Sequence, residues 1–389
     1  MYQGQTVFSQ LTQLLPRRAF NNAIKRYNTD KRAHQLSCHA QLLCMIFAQV
    51  TSRASLRETI TCLNALGAVG YHCGIPRSVA RNTLARANEQ RDYRIFMDTA
   101  MAMIRADLPR LSQDAQLQPF ARRLYAIDST TIDLCLKLFP WAAMDRRRAA
   151  IKAHVALDLQ TGIPAFLCVS TTKVSDIWFL DQIILEPGAF YIVDRAYVDF
   201  ERLYKAHTAG CFFVTRPKKR MQFRVIKRLP VQEGTGVVSD RLIRLRGVKT
   251  RYSYPELVRL IRYNDAKTGK LLYFITNHQG LDAATIAMLY RKRWRIELFF
   301  KWIKQHLHIK AFFGTSANAV KSQIWIAVIV FLLVVRLKHQ HQLKQDLNQL
   351  LQVLSVTLLQ KEPISKLLSR ENADNADGVD PNQLILFEL

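Results

Sequence analysis

The segment Tyr290-Arg-Lys-Arg-Trp-Arg-Ile-Glu297-Leu-Phe-Phe-Lys-Trp-Ile-Lys304 sets one carboxylate, Glu297, among seven Lys and Arg residues between Tyr290 and Lys310. A carboxylate in such a field stays ionised, because nearby positive charge favours the charged form. The same cations attract a polyanion. A metal-holding acid inside a phosphate-binding surface is what phosphoryl transfer on nucleic acid requires. At about 100° per residue on one helix, Tyr290, Arg293, Glu297 and Lys304 fall within about 60° of each other. Ile296, Phe299, Ile303 and Leu307 then form an adjoining apolar stripe that can face a core. Lys304 would lie about 10 Å beyond Glu297 along the axis, which suits it to grip a phosphate rather than share a metal. A solvated basic helix with one salt-bridged Glu fits the same pattern.

One acid does not make a metal site, so partners are needed. Leu124-Tyr-Ala-Ile-Asp128 and Phe190-Tyr-Ile-Val-Asp194 both read as strands ending in an acid. Acids at strand ends of an α/β sheet can converge outside the sheet edge. With Glu297 they would make three carboxylates, which repel one another unless divalent cations bind. Mg²⁺ takes oxygen ligands, and two such ions about 3.5–4 Å apart can activate an attacking oxygen and stabilise the leaving one. Asp133, Asp145 and Asp158 are rivals by residue type, and a capping or ion-pair role is the commoner one for any single Asp.

The elements that would position these acids can be read along the chain. Residues 1–115 show helical spacing. Ser55 to Leu66 reads as a helix stopped at Gly67, and Ser78 as the N-cap of a second helix carrying Arg81 and Arg86. Helix, turn and helix with Arg77, Arg81 and Arg86 on the second element suit a major-groove reader; an ordinary bundle with exposed Arg suits them equally. From about residue 120 the period changes to strands, with Ile151–Leu159 and Ile163–Val169 joined by a Thr-Gly turn, then a helix over 176–185, the Asp194 strand, a helix near 199–208 and a strand at 211–215. This order predicts a mixed α/β layer fold. Residues 216–270 hold 16 Lys and Arg against 4 Asp and Glu, in short alternating runs that read as a basic β-rich insertion. The last 19 residues, Glu371 to Leu389, carry five acids and no base and end in an apolar cluster.

Composition narrows the partner. The chain has 389 residues, 49% of them hydrophobic, a net charge of +26 and a pI of about 10.1. This is a globular chain whose positive excess points to nucleic acid. Seven scattered Cys without a CxxC pair point to reduced thiols, and His34, Cys38, His39 and Cys44 fit no standard zinc spacing. No basic and apolar leader opens the sequence, and the longest apolar run, Ile324 to Val335, is too short to span a bilayer. The expected location is therefore the cytoplasm, with no membrane partner.

Ala-Ile-Asp128-Ser-Thr, Ile-Val-Asp194-Arg-Ala-Tyr and Tyr290-x2-Arg293-x3-Glu297-x6-Lys304 together resemble the three blocks of DDE transposases of bacterial insertion sequences. The last block is similar to the Tyr-Arg-Glu-Lys signature of insertion-sequence family four. Gly4 to Leu11, Ser78 to Glu89 and Asn382 to Phe387 extend the likeness over nearly the whole chain. The resemblance implies an all-α N-terminal DNA-binding domain over 1–115. It implies an RNase H-like catalytic core at 120–215 and 281–340, interrupted by a β-rich insertion at 216–280. A helical segment at 341–370 and an acidic tail at 371–389 complete the expected layout.

It further implies Asp128, Asp194 and Glu297 as ligands of two Mg²⁺ ions, with Mn²⁺ as the alternative. Tyr290, Arg293 and Lys304 would contact double-stranded DNA near the transposon end in a homodimeric synaptic complex. Hydrolysis would free a 3′-hydroxyl that attacks target DNA, without a covalent enzyme intermediate. Members that cut through a DNA hairpin hold a flipped base on an aromatic residue of the insertion, typically Trp. This chain has no Trp between Trp178 and Trp294, leaving Tyr252, Tyr254 and Tyr263 as substitutes. The tail residues Gln383, Leu384, Leu386 and Phe387 resemble the peptide by which bacterial proteins bind the replication sliding clamp; docking on the protein's own body is the other reading. A catalytically silent DNA-binding protein and a structure-directed nuclease on the same core are the alternative functions.

Overall fold

The structure, a computed structural model, describes residues 4–30, 36–109, 117, 120, 123–266, 268–306 and 312–368. The tail from 371 to 389, with Gln383, Leu384, Leu386 and Phe387, lies outside the described residues, as do His34 and Leu307. The chain forms two compact units, Met1–Met103 with Trp302–Leu389, and Ile104–Lys301.

The first unit is helical, as the spacing predicts. Its centre is built from Cys38–Val50 and Ala317–Gln340, two helices apolar on nearly every face, the composition of helices buried all round. Ser37 and Ser316 cap them by accepting from the Ala40 and Ala319 amides (3.1 and 3.2 Å). The Ile324–Val335 run is the middle of a helix of 24 residues, longer than the run itself. By length and composition that helix could cross a membrane; its apolar side chains are buried, and it packs on Cys38–Val50, Arg81–Gln90 and Leu347–Thr357. Residues 302–340, grouped with the catalytic core on sequence grounds, thus cluster with the N-terminal helices.

Ser55 does cap Leu56–Ala65, accepting from Glu58 N–H at 3.1 Å, and Gly67 takes the left-handed conformation (φ 50°) that ends the run. Ser78 does not cap the next helix, which runs Arg81–Gln90 after an extended Ala80. The reason is local. The Asn64 amide bonds both the N–H and the C=O of buried Val79 (2.9 and 3.3 Å), holding the segment extended until Arg81.

The second unit is organised by one sheet of nine strands among the described residues: β1 (Leu124–Leu134), β2 (Ala149–Asp158), β3 (Pro164–Thr171), β4 (Phe190–Val193), β5 (Phe212–Thr215), β6 (Phe223–Leu229), β7 (Val237–Leu245), β8 (Val258–Asn264) and β9 (Leu271–Thr276). Their order is β3-β2-β1-β4-β5-β9-β8-β7-β6. β1, β4 and β5 run parallel; β2 runs antiparallel to β1 and β3 antiparallel to β2, so β3 has the same sense as β1. The helix expected over 176–185 is only Trp178–Gln182, because Ile183 is already extended.

The basic strands of 216–280 extend the same sheet. β9 returns antiparallel beside β5, pairing Val214 with Thr276. Ile243, Leu245, Val258, Leu260 and Ile275 from these strands share one buried cluster with Leu203, Phe213 and Tyr254. A buried ion pair locks this extension. Arg259 donates through Nε to Asp240 Oδ1 (2.9 Å) and through Nη2 to Oδ2 (2.5 Å), and its Nη1 reaches the carbonyls of His278 (3.3 Å), Gln279 (3.4 Å) and Leu281. The two side chains are 5% and 2% exposed. Removing one partner of such a pair leaves a buried charge uncompensated. Asp240→Ala is therefore expected to lower the free energy of unfolding by about 3–5 kcal/mol, measured by denaturant titration. A loss under about 1 kcal/mol, the worth of an exposed pair, would contradict the buried assignment.

Candidate active site

Strand register brings the first two acids together. β1 and β4 pair in parallel from Leu124↔Phe190 to Ile127↔Val193. Asp128 and Asp194 are the next residue on each strand, so they emerge side by side where the parallel pairing stops. Asp128 is not at the end of its strand, as the sequence suggests: β1 continues to Leu134, paired only with β2. β4 does end, because Asp194 opens a short 3₁₀ turn, Arg195–Tyr197.

The third acid comes from a helical junction. The expected single helix through Tyr290 and Lys304 is two helices, Ala283–Lys292 and Trp294–His306, divided at Arg293. Tight turns mark the break: Arg293 N–H donates to the Tyr290 carbonyl and Ile296 N–H to the Arg293 carbonyl (both 3.1 Å). Glu297 therefore sits in the first turn of the second helix, where the helix dipole favours a carboxylate. The Arg293 guanidinium spans the gap between sheet and helix. Nη1 donates to Asp128 Oδ2 (3.1 Å) and Nη2 to Glu297 Oε1 (2.6 Å). Tyr290 completes the set, its hydroxyl donating to Asp194 Oδ1 (3.2 Å). Arg293 also lies over the Tyr290 ring, 5.7 Å from its centroid.

The electrostatics follow from this packing. Burial raises the Asp128 pKa; the Ser129 N–H and Arg293 pull it down, and the charges of Asp194 and Glu297 push it up again, leaving it above the ordinary carboxylate value. Burial and then Asp194 push Tyr290 up to about 12, so its hydroxyl keeps its proton. Burial opposes the charge on Arg293, but Tyr290, Glu297 and Asp128 hold its pKa above normal. Three carboxylates form an oxygen-only donor set, which fits a hard divalent cation better than zinc. Among the described residues, no three Asp, Glu, His or Cys side chains stand close enough to form a ready-made ion site; the acids are held by Arg293 and Tyr290 instead.

The structure thus brings together Asp128, Asp194, Glu297, Tyr290 and Arg293. Lys304 lies two turns further along the Glu297 helix, half-buried. Arg81 and Arg86 are exposed on their helix in the first unit, and Arg77 stacks over Tyr71 at 5.2 Å. The rival acids have local work. Asp158 staples its turn through the Gln160 and Thr161 amides (both 2.9 Å), Asp145 accepts from the Arg147 and Arg148 amides (2.8 and 2.9 Å), and Asp133 is exposed on β1. Of the three substitute tyrosines, Tyr254 is wholly buried against His207 and is no stacking surface. Tyr252 is exposed beside Arg251, and Tyr263 accepts from Arg291 at 3.4 Å.

Two features lay outside the sequence expectations. A cavity of about 500 Å³ is lined by Arg195, Arg216, Lys218, Lys219, Phe223 and Tyr273. Only the run of bases after 215 hinted at it. Across β6 and β7, arginines face one another: Arg224 opposes Arg244, and Arg228 opposes Arg241. Like charges directly opposite destabilise a strand pair unless something neutralises them.

Comparison with known proteins places these features in a family. The Transposase DDE domain model matches residues 119–333, and a domain of unknown function matches 3–76. A Sinorhizobium fredii protein, y4zB, that bears a transposase name is 35% identical over 262 residues, covering 66% of this chain and 71% of its own. The Geobacillus stearothermophilus protein named as probable transposase for insertion sequence element IS5377 is 30% identical over 267 residues, covering 68% and 69%. A cryo-EM structure of a piggyBac transposase synaptic complex with hairpin DNA aligns over 97% of this chain and 86% of its own at 11% identity and a TM-score of 0.44, a likeness too slight to bear on the site.

The raised Asp128 pKa has a consequence for stability. Ionisation of Asp128 costs more in the folded than in the unfolded state, so the folded state binds its proton more tightly. Its contribution is then favourable at low pH and is lost as pH rises through the folded pKa. Asp128→Asn removes that ionisation and is expected to raise the unfolding midpoint of the metal-free protein at about pH 7. The gain should fade toward about pH 4, near the ordinary carboxylate value. Thermal scans across that range check this; a midpoint lowered at pH 7 would show that the Ser129 N–H and Arg293 contacts outweigh burial and repulsion.

Proposed function

Since the chain belongs to the DDE transposase family, an enzyme family of DNA cleavage and strand transfer, we propose that it binds the ends of its own insertion sequence, frees their 3′-hydroxyls and joins them to target DNA. The observation that carries this reading is the register of β1 and β4, which sets Asp128 beside Asp194 with Glu297 joined to Asp128 through Arg293. The strand order β3-β2-β1-β4-β5, in which only β2 runs against the other four, supports an RNase H-like core.

In this reading Asp128, Asp194 and Glu297 hold two divalent cations, Mg²⁺ or Mn²⁺. Bound there, the cations would activate the attacking oxygen and neutralise the charge on the leaving one. Tyr290 and Arg293 hold the acids in the free protein, and a phosphate at the transposon end competes for the same guanidinium. Lys304, Arg81 and Arg86 add contacts to phosphates. The opposed arginines of β6 and β7 support a polyanionic partner, because DNA supplies the charge that would quiet their repulsion. Two copies of the chain, one at each end, make up the synaptic complex.

The test is a nicking assay on an end-containing DNA duplex with Mg²⁺ or Mn²⁺. The unmodified chain should nick and then join strands. Asp128→Asn, Asp194→Asn and Glu297→Gln should each slow nicking by about three orders of magnitude or more while keeping end binding. Absence of metal-dependent nicking by the unmodified chain would sink the enzymatic reading and leave a silent DNA-binding protein. Nicking without joining would favour a structure-directed nuclease.

The tail supplies a separate proposal, that Gln383, Leu384, Leu386 and Phe387 engage the replication sliding clamp. Deleting residues 383–387 should abolish capture of purified clamp by the immobilised protein. Undiminished capture would reject it.

A further inference from the structure

Behind Asp128, on the opposite face of the sheet, lies a second group of charged residues for which the reaction above has no use. Successive residues of a strand point to opposite faces. Asp128 faces Arg293, so Ser129 faces the other way. In register, Ser129 pairs with His154 and Thr131 with Lys152, which places Ser129, His154 and Lys152 on that reverse face. Asp176, in the connection before Trp178–Gln182, reaches into this group. Its Oδ1 accepts from Ser129 Oγ (2.7 Å) and from Lys152 Nζ (3.1 Å), with His154 Nδ1 at 3.8 Å.

The surroundings make this group rigid. His154 is fully buried, its Nε2 lies 2.9 Å from Ser170 Oγ, and its ring stacks on Phe179 at 5.3 Å. Burial lowers its pKa to about 4, so it stands neutral beside the ion pair. Lys152 is 18% exposed and Asp176 32%. Tyr197, three residues after Asp194, closes the group from the 3₁₀ turn that follows β4. It is 1% exposed, and burial followed by the charges of Asp128, Asp176 and Asp194 holds its hydroxyl protonated.

Ser129 links the two faces. Its side chain donates to Asp176, while its N–H donates to Asp128 Oδ1 (2.8 Å). A tether for the 172–177 connection needs only Lys152; the bond to Ser129 falls on the residue adjoining the acid. We propose that Asp176 is a positioning residue for the Asp128 carboxylate, acting through the Ser129 hydroxyl from the reverse face of the sheet. The proposal deepens the transposase reading and rests on it for its kinetic consequence. Groups behind a metal-holding side chain commonly alter activity by about 10- to 100-fold when removed.

The test uses the full chain and four variants, Ser129→Ala, Ser129→Thr, Asp176→Ala and the Ser129→Ala/Asp176→Ala double. Single-turnover nicking of the end duplex should fall by about 10- to 100-fold in Ser129→Ala and in Asp176→Ala, with the dissociation constant for the end unchanged within about twofold. Ser129→Thr, which keeps the hydroxyl, should retain the rate, and the double variant should be no slower than Asp176→Ala alone, because both changes break one link. Amide exchange of the 124–134 strand should quicken by about tenfold or more in Ser129→Ala and in the Asp176 single variant, and not in Ser129→Thr. Multiplying losses in the double variant, equal losses in Ser129→Thr and Ser129→Ala, or unaltered exchange of 124–134 would each overturn the proposal. If the unmodified chain does not nick at all, the transposase reading fails, and the exchange pattern alone decides whether Asp176 positions Asp128.

Discussion

Arg293 bonds two acids that reach it from different layers, Asp128 from the sheet and Glu297 from the helix. Much of the site's geometry follows from that double contact. To serve both carboxylates the guanidinium must enter between sheet and helix, and the chain accommodates it by breaking the helical run at Arg293. The break puts Glu297 at the positive end of a new helix and leaves Tyr290 at the end of the previous one, within reach of Asp194. Without a cation in the middle, the three carboxylates would repel one another; burial first, and then the charges of Asp194 and Glu297, leave the Asp128 pKa raised despite the Ser129 N–H and the guanidinium. This is an unfavourable local arrangement carried by a stable sheet, the usual signature of a site kept for chemistry.

The sheet can carry it because of how the chain leaves and returns. It departs after β5, builds β6 to β8, and comes back as β9 against β5 before entering the helix of Tyr290. The Arg259 side chain, held by Asp240, grips the carbonyls of residues 278, 279 and 281, just ahead of that helix. The buried pair in the basic strands thus fixes the point from which Tyr290, Arg293 and Glu297 are delivered. An extension of the sheet makes this possible; a module on flexible tethers would not transmit position in the same way.

The sequence made the acids legible and their partners only partly so. Asp128 and Asp194 stood out because apolar β-type runs lead into each, and the parallel register is what those runs produce. Glu297 stood out through its basic surroundings. The split of the helix at Arg293 was not legible, since period alone continues smoothly through it; a tertiary contact overrides the local pattern. Ser78 misled for a similar reason, as Asn64, fourteen residues earlier, holds the chain extended past it. Asp176 could not be distinguished from a helix start, because its role depends on Ser129 and Lys152 on two other strands. The basic character of 216–270 was plain, whereas its continuity with the main sheet depends on the pairing of β5 with β9, which composition does not encode.

The free protein therefore carries two opposite excesses of charge in one unit. Acids crowd around Arg293, and arginines oppose one another across β6 and β7. Each is relieved by a component of the complex proposed here, cations for the acids and phosphates for the arginines. Coulombic repulsion left standing in the free state is returned on binding, so the same residues that subtract from stability add to affinity. A phosphate that takes the Arg293 guanidinium would also leave Asp128 and Glu297 without their countercharge, and so raise their need for cations. Binding of DNA and binding of metal are then coupled through one side chain, and by reciprocity each must strengthen the other.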